Sequence, residues 1–300
     1  MRPPIPRPIT RNSGKQLKYV DDSTQMASIN LKLSLEPDDK IRQKPLTYYE
    51  RNQTKLKQTE NILQQELHKF QDFVTQNKLV INNKKCFVML FQRSKKYSFP
   101  PEFHVGDSKI LDVKTSHKIL GVTIQSDLGW SQNIEEMIKK ATKTIWVLRR
   151  MRSLGVNQST LVKYWKAEGR VHMELACPAW HSSLTASQSQ DLERAQRIAM
   201  AAIVGRWEPS HSRQLSELGL ERLWSRREKL CRVFAQRTAT NSRHSDLFTQ
   251  TGSRPRRGKQ VRIYREPLSR TATHFNSPIP YLTRLLNSAP AEEKGEIAAV

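Results

Sequence analysis

The amino-acid sequence predicts an α+β protein in which short strands come first and a helical bundle follows. Three observations predict it: β-rich runs separated by turn residues lie within 17–126, apolar residues recur with helical spacing within 127–250, and both chain ends lack such periodicity. We expect 1–16 to be a disordered lead-in and 251–300 a basic, largely disordered tail. A length of 300 residues suits one large domain or two smaller ones.

The charge of the chain points to a polyanionic partner. Lys+Arg 51 against Asp+Glu 28 gives a formal net charge of +23, more than solubility requires, and nucleic acid is the first polyanion to consider. No apolar run approaches the roughly 18 residues of a membrane span, so we expect no membrane partner. The three cysteines lie far apart and are odd in number, which argues against a disulfide framework.

The first half is predicted to begin with a β-hairpin. Residues 17–20 have strand character, 21–24 form an acidic turn, and 26–29 are a possible return strand. The polar segment 34–55 contains two prolines and is predicted to be a surface insertion. An amphipathic helix is predicted over 59–77, followed by three β-rich runs at 79–81, 86–91 and 118–124.

The first helix of the second half is predicted to begin near Trp130, with Ser131 as its N-cap and Gly155 as its stop. One face is apolar and contains Ile134, Met137, Ile138, Ala141, Ile145 and Leu148. The opposite face carries the basic residues Lys139, Lys143 and Arg150. This is the pattern of a helix that packs on one side and is solvated on the other.

Four further helical segments are predicted. The first spans 158–176, and the second begins at a capping box formed by Thr185 and Gln188 and ends at Gly205. The last two span 212–218 and 221–237 and are separated by a turn at Gly219, and the final helix is predicted to turn Leu223, Leu230, Val233 and Phe234 inward.

The tetrapeptide Tyr19-Val20-Asp21-Asp22 is the sharpest chemical signal in the chain. An apolar strand that delivers two carboxylates to a turn can present hard oxygen ligands to Mg²⁺. An Asp-Asp pair in a turn more often belongs to a solvent-exposed turn with no bound metal. The neighbouring motifs therefore decide whether this pair is a metal site or an ordinary turn.

Residues 17–290 resemble the carboxyl-terminal half of reverse transcriptases from non-LTR retrotransposons, the LINE-type elements of the Jockey and CR1 kind. The motifs that carry the resemblance occur in the family's order, at 19–22, 77–82, 85–89, 118–124, 148–150, 174–182, 218–221 and 226–227. The resemblance implies a partial palm over 17–126, a helical thumb and C-terminal bundle over 127–250, and an RNA-directed DNA polymerase ancestry with Mg²⁺ as cofactor.

The same resemblance assigns roles position by position. It implies that Asp21 binds Mg²⁺, that Asp22 assists it, and that Lys85 is the basic position near the departing pyrophosphate. The residues that match the primer grip are Leu120, Gly121 and Val122.

The sequence departs from the family's pattern ahead of the hairpin. The family takes another metal-binding carboxylate from a strand many tens of residues earlier, whereas only twenty residues precede Asp21 and none of them is acidic. We therefore expect a truncated polymerase that binds RNA or an RNA/DNA hybrid without independent polymerisation. One alternative is a polymerase active only when the missing N-terminal half is supplied, and another is a non-functional gene product.

Nucleic-acid binding is predicted to use phosphate contacts from the basic helix face at Lys139, Lys143 and Arg150. The tail is predicted to contribute Arg254, Arg256, Arg257 and Lys259. The alternative for the helix face is simple solvation. Five tryptophans can stack on bases or pack in the core, and helical spacing favours the core: Trp146, Trp165, Trp180, Trp207 and Trp224.

Two other sites are considered and disfavoured. A metal cluster of His172, Cys177 and His181 lacks a fourth ligand, and the iron triad spelled by His244, Asp246 and His274 lacks a β-barrel scaffold. The segment 130–152 is also similar to a short module associated with AlkB-homologue tRNA-modifying enzymes, but a shared module does not supply an oxygenase or methyltransferase domain.

Overall fold

The computed structural model describes residues 14–19, 22–27, 48–82, 86–91, 103–105, 109–241, 244–251 and 263–288. The chain divides into two compact units, Met1–Thr115 and Ser116–Val300. Helices predominate over strands, which confirms the α+β class at the level of a mixed fold. The division precedes the hairpin within 118–124, so that hairpin belongs to the helical unit rather than to the strands before it.

The first unit begins with the predicted antiparallel hairpin. Strand β1 (Gly14–Tyr19) pairs with strand β2 (Asp22–Ala27), and Tyr19 lies opposite Asp22. The acidic turn predicted over 21–24 is therefore wrong for 22–24, because these residues pair with β1 and the return strand starts at Asp22. The disordered lead-in predicted over 1–16 is wrong for its last three residues, which lie in β1, and residues 1–13 lie outside the described part of the chain.

Helix α1 (Tyr48–Gln76) contains the helix predicted over 59–77 and extends it toward the N-terminus. The surface insertion predicted over 34–55 is therefore wrong for its last eight residues. Those residues include no proline or glycine, and their continuation is rich in Lys, Gln, Glu and Leu, which are good helix formers. Among the residues of this helix whose burial is described, Val74 is buried and Phe70 and Phe73 are partly buried.

The strands of the first unit are short. Strand β3 (Phe87–Val88) pairs in parallel with β6 (Asp112–Val113), and β4 (His104–Val105) pairs with β5 (Lys109–Ile110). A small core forms around Phe103 and Leu111.

Two of the three predicted β-rich runs do not form the strands expected from the sequence. The run at 79–81 forms no strand, and Val80 is 94% exposed. The run at 86–91 keeps only the two residues of β3. Both runs have β-forming residues, but a strand persists only where a neighbouring strand pairs with it.

The second unit combines one hairpin with a helical bundle. Helix α2 packs against α4, α4 against α6, and α6 against α8. The elements are β7 (Ser116–Ile119), β8 (Val122–Gln125), α2 (Ser131–Ser153), α3 (Gln158–Tyr164), α4 (Ala186–Val204), α5 (His211–Glu217), α6 (Leu223–Thr240), α7 (Ala272–Phe275) and α8 (Pro278–Ser288).

Helix α2 follows the prediction except at its N-cap. The cap residue is Trp130, and Ser131 is already helical. The side chain of Gln125 takes over the capping, because its Oε1 accepts from the Gln132 N–H at 3.0 Å and from the Ser131 hydroxyl at 3.1 Å. The helix ends before Gly155, as predicted.

The helix predicted over 158–176 is α-helical only as far as Tyr164. A π-helical turn over Trp165–Gly169 and a 3₁₀ turn over Arg170–Met173 follow. The Trp165 side chain is fully buried, and a Cβ at Gly169 would overlap its indole. The indole therefore occupies the space that a side chain at Gly169 would need.

Helix α4 has both predicted ends. The Thr185 hydroxyl accepts from the Gln188 N–H at 3.2 Å, and the Gln188 side chain accepts from the Thr185 N–H at 3.0 Å. At the other end Gly205 adopts φ 85°, a left-handed conformation that glycine reaches without strain. Thus the capping box and the glycine stop are confirmed.

The inward face predicted for α6 is wrong at Val233 and Phe234, which are 43% and 46% exposed. The buried residues of this helix are Leu223, Arg227, Cys231, Ala235 and Thr238. They recur every three or four residues, but an arginine and a threonine stand among them. Apolar periodicity alone therefore selects the wrong face.

The disordered tail predicted over 251–300 is wrong for 263–288. Helix α8 buries Leu282, Leu285 and Leu286 in the core. Asn287 fixes the segment before it, because its side chain accepts from the Tyr264 N–H at 3.1 Å and donates to the Tyr264 carbonyl at 2.9 Å. The sequence prediction misses this short apolar helix because the segment before it is rich in basic residues.

Candidate nucleic-acid interface

Helix α2 carries a basic and aromatic surface, which we call the α2 outer face: Lys139, Lys143, Trp146, Arg149 and Arg150. All five residues are exposed, and Trp146 is 68% exposed. Their spacing of three and four residues places them on neighbouring turns of one helix side. The exposure predicted for the three basic residues is confirmed.

The outer face is fixed in place by the opposite side of the same helix. That side packs against α4 and buries Ile134, Met137, Ala141, Thr144, Ile145 and Leu148. Burial of this stripe leaves α2 no freedom to rotate about its axis, since rotation would expose the stripe to water. The basic side chains therefore project from a rigid support.

Acidic residues on α2 do not neutralise the outer face. Glu136 accepts hydrogen bonds from Lys118 and, at 2.9 Å, from the Thr123 hydroxyl, and these bonds lower its pKa. Glu135 is exposed one turn before Lys139, but within the described residues no acidic side chain forms an ion pair with any member of the outer face.

Further basic side chains lie where the last turn of α2 meets the end of α4, on the packed side of α2. The guanidinium of Arg152 packs directly on Gly205, where a Cβ would overlap it. Two residues further on, Trp207 is 55% exposed and the Arg197 guanidinium lies 4.3 Å from the centre of its ring. Stacked Arg–Trp pairs combine positive charge with a flat apolar surface.

The tryptophans divide into two groups. Trp165 and Trp180 are fully buried, which confirms the core prediction for them. Trp146, Trp207 and Trp224 are 49% to 68% exposed, so the core prediction is wrong for these three. The sequence contains the signal for Trp146, because it lies three residues after Lys143 and four before Arg150 on the same helix side.

The hairpin predicted as a primer grip lies next to α2. Leu120 and Gly121 form its two-residue turn with φ 49° and 87°, Leu120 is 58% exposed, and Val122 is buried. The side chain of Asn133 in α2 accepts from the Thr123 N–H at 3.1 Å. This bond ties the hairpin to the helix that carries the outer face.

The predicted catalytic positions have no described side-chain geometry. Asp21 and Lys85 lie outside the described residues, and Asp22 is known only as the first backbone position of β2. Among the residues that the structure describes, no three His, Cys, Asp or Glu side chains group as a metal site would require. The predicted Mg²⁺ site therefore rests on the sequence motif.

The remaining predicted positions divide between described and undescribed segments. The tail residues Arg254, Arg256, Arg257 and Lys259 lie outside the described ranges. His181 is bound to an arginine, because the Arg227 Nε donates to its Nδ1 at 3.3 Å.

No described helix is long and apolar enough to cross a membrane.

Comparison with known proteins gives no relative for this chain. No protein-family model, curated protein or solved structure matches it. The candidate interface is therefore argued from its own geometry and charge.

Proposed function

We propose that this protein binds nucleic acid through the α2 outer face. The observation that carries the proposal is the position of an exposed tryptophan, Trp146, within a row of exposed basic residues that no described acidic side chain neutralises. This combination fits a nucleic-acid strand whose phosphates contact the basic side chains while a base or sugar packs on the indole.

The binding is proposed to be largely independent of base sequence. Phosphate contacts position a nucleic acid but do not read it, and aromatic stacking accepts every base. The rigid anchoring of α2 supports this role, because the contacts are organised before the ligand arrives and little ordering is needed on binding.

The resemblance to non-LTR reverse transcriptases refines the proposal. On that basis the partner is RNA or an RNA/DNA hybrid, the second unit acts as a thumb, and the β7–β8 hairpin approaches the primer end. Binding by this chain does not require polymerase chemistry. The second candidate function is polymerisation when the N-terminal half is supplied separately. The Asp21-Asp22 motif supports this candidate.

The test is a fluorescence-anisotropy titration with a labelled RNA/DNA hybrid at several salt concentrations. Each phosphate contact contributes about 0.9 to the slope of log affinity against log salt. The double variant Lys143→Gln, Arg150→Gln is expected to weaken binding and to reduce that slope by about two. Trp146→Ala is expected to weaken binding to single-stranded RNA by about 1–3 kcal/mol.

The matched control is Arg213→Gln, Arg237→Gln, which removes the same charge from exposed positions on α5 and α6. An equal loss of affinity in this control would show that total charge, and not the outer face, determines binding. Addition of Mg²⁺ and nucleotides then tests extension, and extension that Asp21→Ala abolishes would establish the polymerase candidate instead.

A further inference from the structure

A pocket of about 540 Å³ opens on the second unit beside the first turns of α4 and α6. The residues that matter here are His181, Ser182, Glu193, Trp224 and Tyr281. They come from four segments that are distant in sequence. The volume lies in the range of pockets that hold small molecules or single nucleotides.

Glu193 presents a hydrogen-bond acceptor that has no donor. Its Oε1 accepts from the backbone N–H of Trp224 at 2.8 Å, whereas its Oε2 is buried and has no partner among the described residues. A buried carboxylate oxygen without a donor is unfavourable. Glu193 lines the pocket, so a ligand N–H that enters it can supply the missing donor. A phosphate there is repelled by the carboxylate charge, and Arg284, which lines the same pocket, is already paired with Glu266 at 2.8 Å.

Two neighbouring groups add polar contacts. The Ser182 hydroxyl is buried and also has no described partner. His181 accepts from Arg227 through Nδ1, which leaves its hydrogen on Nε2. Burial and the Arg227 charge lower the pKa of His181 to about 4, so the ring is an uncharged donor at neutral pH.

The same pocket offers a flat apolar surface. The Trp224 indole is 49% exposed, and its centre lies 6.0 Å from the His181 ring. An exposed indole beside a carboxylate acceptor fits a planar ring that carries an amino group. Adenine carries such a group at C6, cytosine at C4 and guanine at C2. Uracil carries none, and its ring N3–H lies between two carbonyl oxygens that a carboxylate repels.

We propose that this pocket receives one unpaired nucleobase, that the base stacks on Trp224, and that its exocyclic amino group donates to Glu193 Oε2. The inference rests on the proposed function, because the bound strand delivers the base. It adds a preference for amino-bearing bases to binding that is otherwise independent of sequence.

The test compares labelled 12-mers of rA, rC and rU by anisotropy with the full chain. The unmodified protein is expected to bind the rA and rC oligomers at least about fivefold more tightly than rU. In Glu193→Gln the amide retains an oxygen for the Trp224 N–H and places its NH₂ where Oε2 was, so the preference is expected to disappear or reverse toward rU.

Two further variants complete the test. Glu217→Gln, an exposed change on α5, is expected to leave the preference intact. Trp224→Leu retains its backbone bond to Glu193 and is expected to weaken binding of the rA and rC oligomers. Equal binding of all three oligomers by the unmodified protein would overturn the pocket proposal and leave the proposed function standing, whereas no binding of any oligomer would overturn both.

Discussion

Leu120 is held in the left-handed backbone region at the tip of the β7–β8 hairpin, with φ 49°. The next residue, Gly121, also has positive φ, which is the requirement of a type I′ turn. Asparagine and glycine satisfy this requirement with little strain, but leucine does not. The strain is therefore localised at a single exposed residue at the tip of the hairpin.

We expect Leu120→Asn to raise the free energy of unfolding by about 1 kcal/mol, because Asn-Gly is the preferred type I′ pair. The measurement is thermal unfolding followed by circular dichroism. Leu268→Asn is the control, since Leu268 is 82% exposed and has no positive φ. An equal gain in both variants would trace the effect to reduced surface hydrophobicity instead.

His181 couples the stability of the core to pH. Its folded pKa of about 4 lies below the ordinary value of 6.5, so the folded state resists protonation and the unfolded state binds more protons between these values. Stability is therefore fully present above pH 6.5 and falls as the pH falls toward 4, by about 3 kcal/mol.

Denaturant unfolding at pH 7 and pH 4.5 tests this expectation. His181→Gln retains an acceptor for Arg227 but does not titrate, so its stability is expected to fall less over the same interval. Parallel pH profiles of the two proteins would mean that other groups cause the acid sensitivity.

Among the elements, the π-helical turn Trp165–Gly169 depends on the absence of a side chain at its last residue. Gly169→Ala places a methyl group against the buried Trp165 ring. We expect a loss of about 1–3 kcal/mol, because a packed core does not yield without moving the ring or the backbone. Chemical denaturation measures it, with exposed Glu168→Ala in the same turn as the control, which is expected to change stability little.

Helices α2 and α4 could be predicted from the sequence because their signals are local. The apolar stripe of α2, the capping box at Thr185 and the stop at Gly205 each lie within a few residues of the feature they specify. The exposure of Lys139 and Lys143 follows from the same periodicity.

Other elements could not be predicted because their positions depend on distant residues. The buried face of α6 includes Arg227. Its Nε donates to a histidine 46 residues away, whereas its two terminal nitrogens have no hydrogen-bond partner among the described residues. The end of α3 depends on the packing of Trp165. The pocket around Glu193 and Trp224 joins four segments, so no local pattern marks it.

At the scale of the whole molecule, the large core lies within the second unit, from Val122 to Leu286. We therefore expect the fragment 116–288 to fold by itself and to melt cooperatively. The fragment 127–250, chosen from the sequence prediction alone, lacks both the hairpin that caps α2 and helix α8.

Without α8, the part of α6 that packs against it loses its cover, and apolar surface is exposed. Near-ultraviolet circular dichroism and thermal melting distinguish the fragments: 116–288 is expected to show fixed aromatic signals and a sharp transition, and 127–250 neither. Cooperative melting of 127–250 would mean that α8 is dispensable for the core.

Helix α4 has a further consequence for the exchange of its amide hydrogens with solvent. It is closed at both ends by its capping box and by Gly205, and it packs against α2, α3 and α6. Neither end of α4 therefore frays readily, and opening the middle of α4 requires the neighbouring helices to separate from it. The amide of buried Ala199 is thus expected to exchange only through global unfolding, so its protection factor reports the stability of the entire bundle.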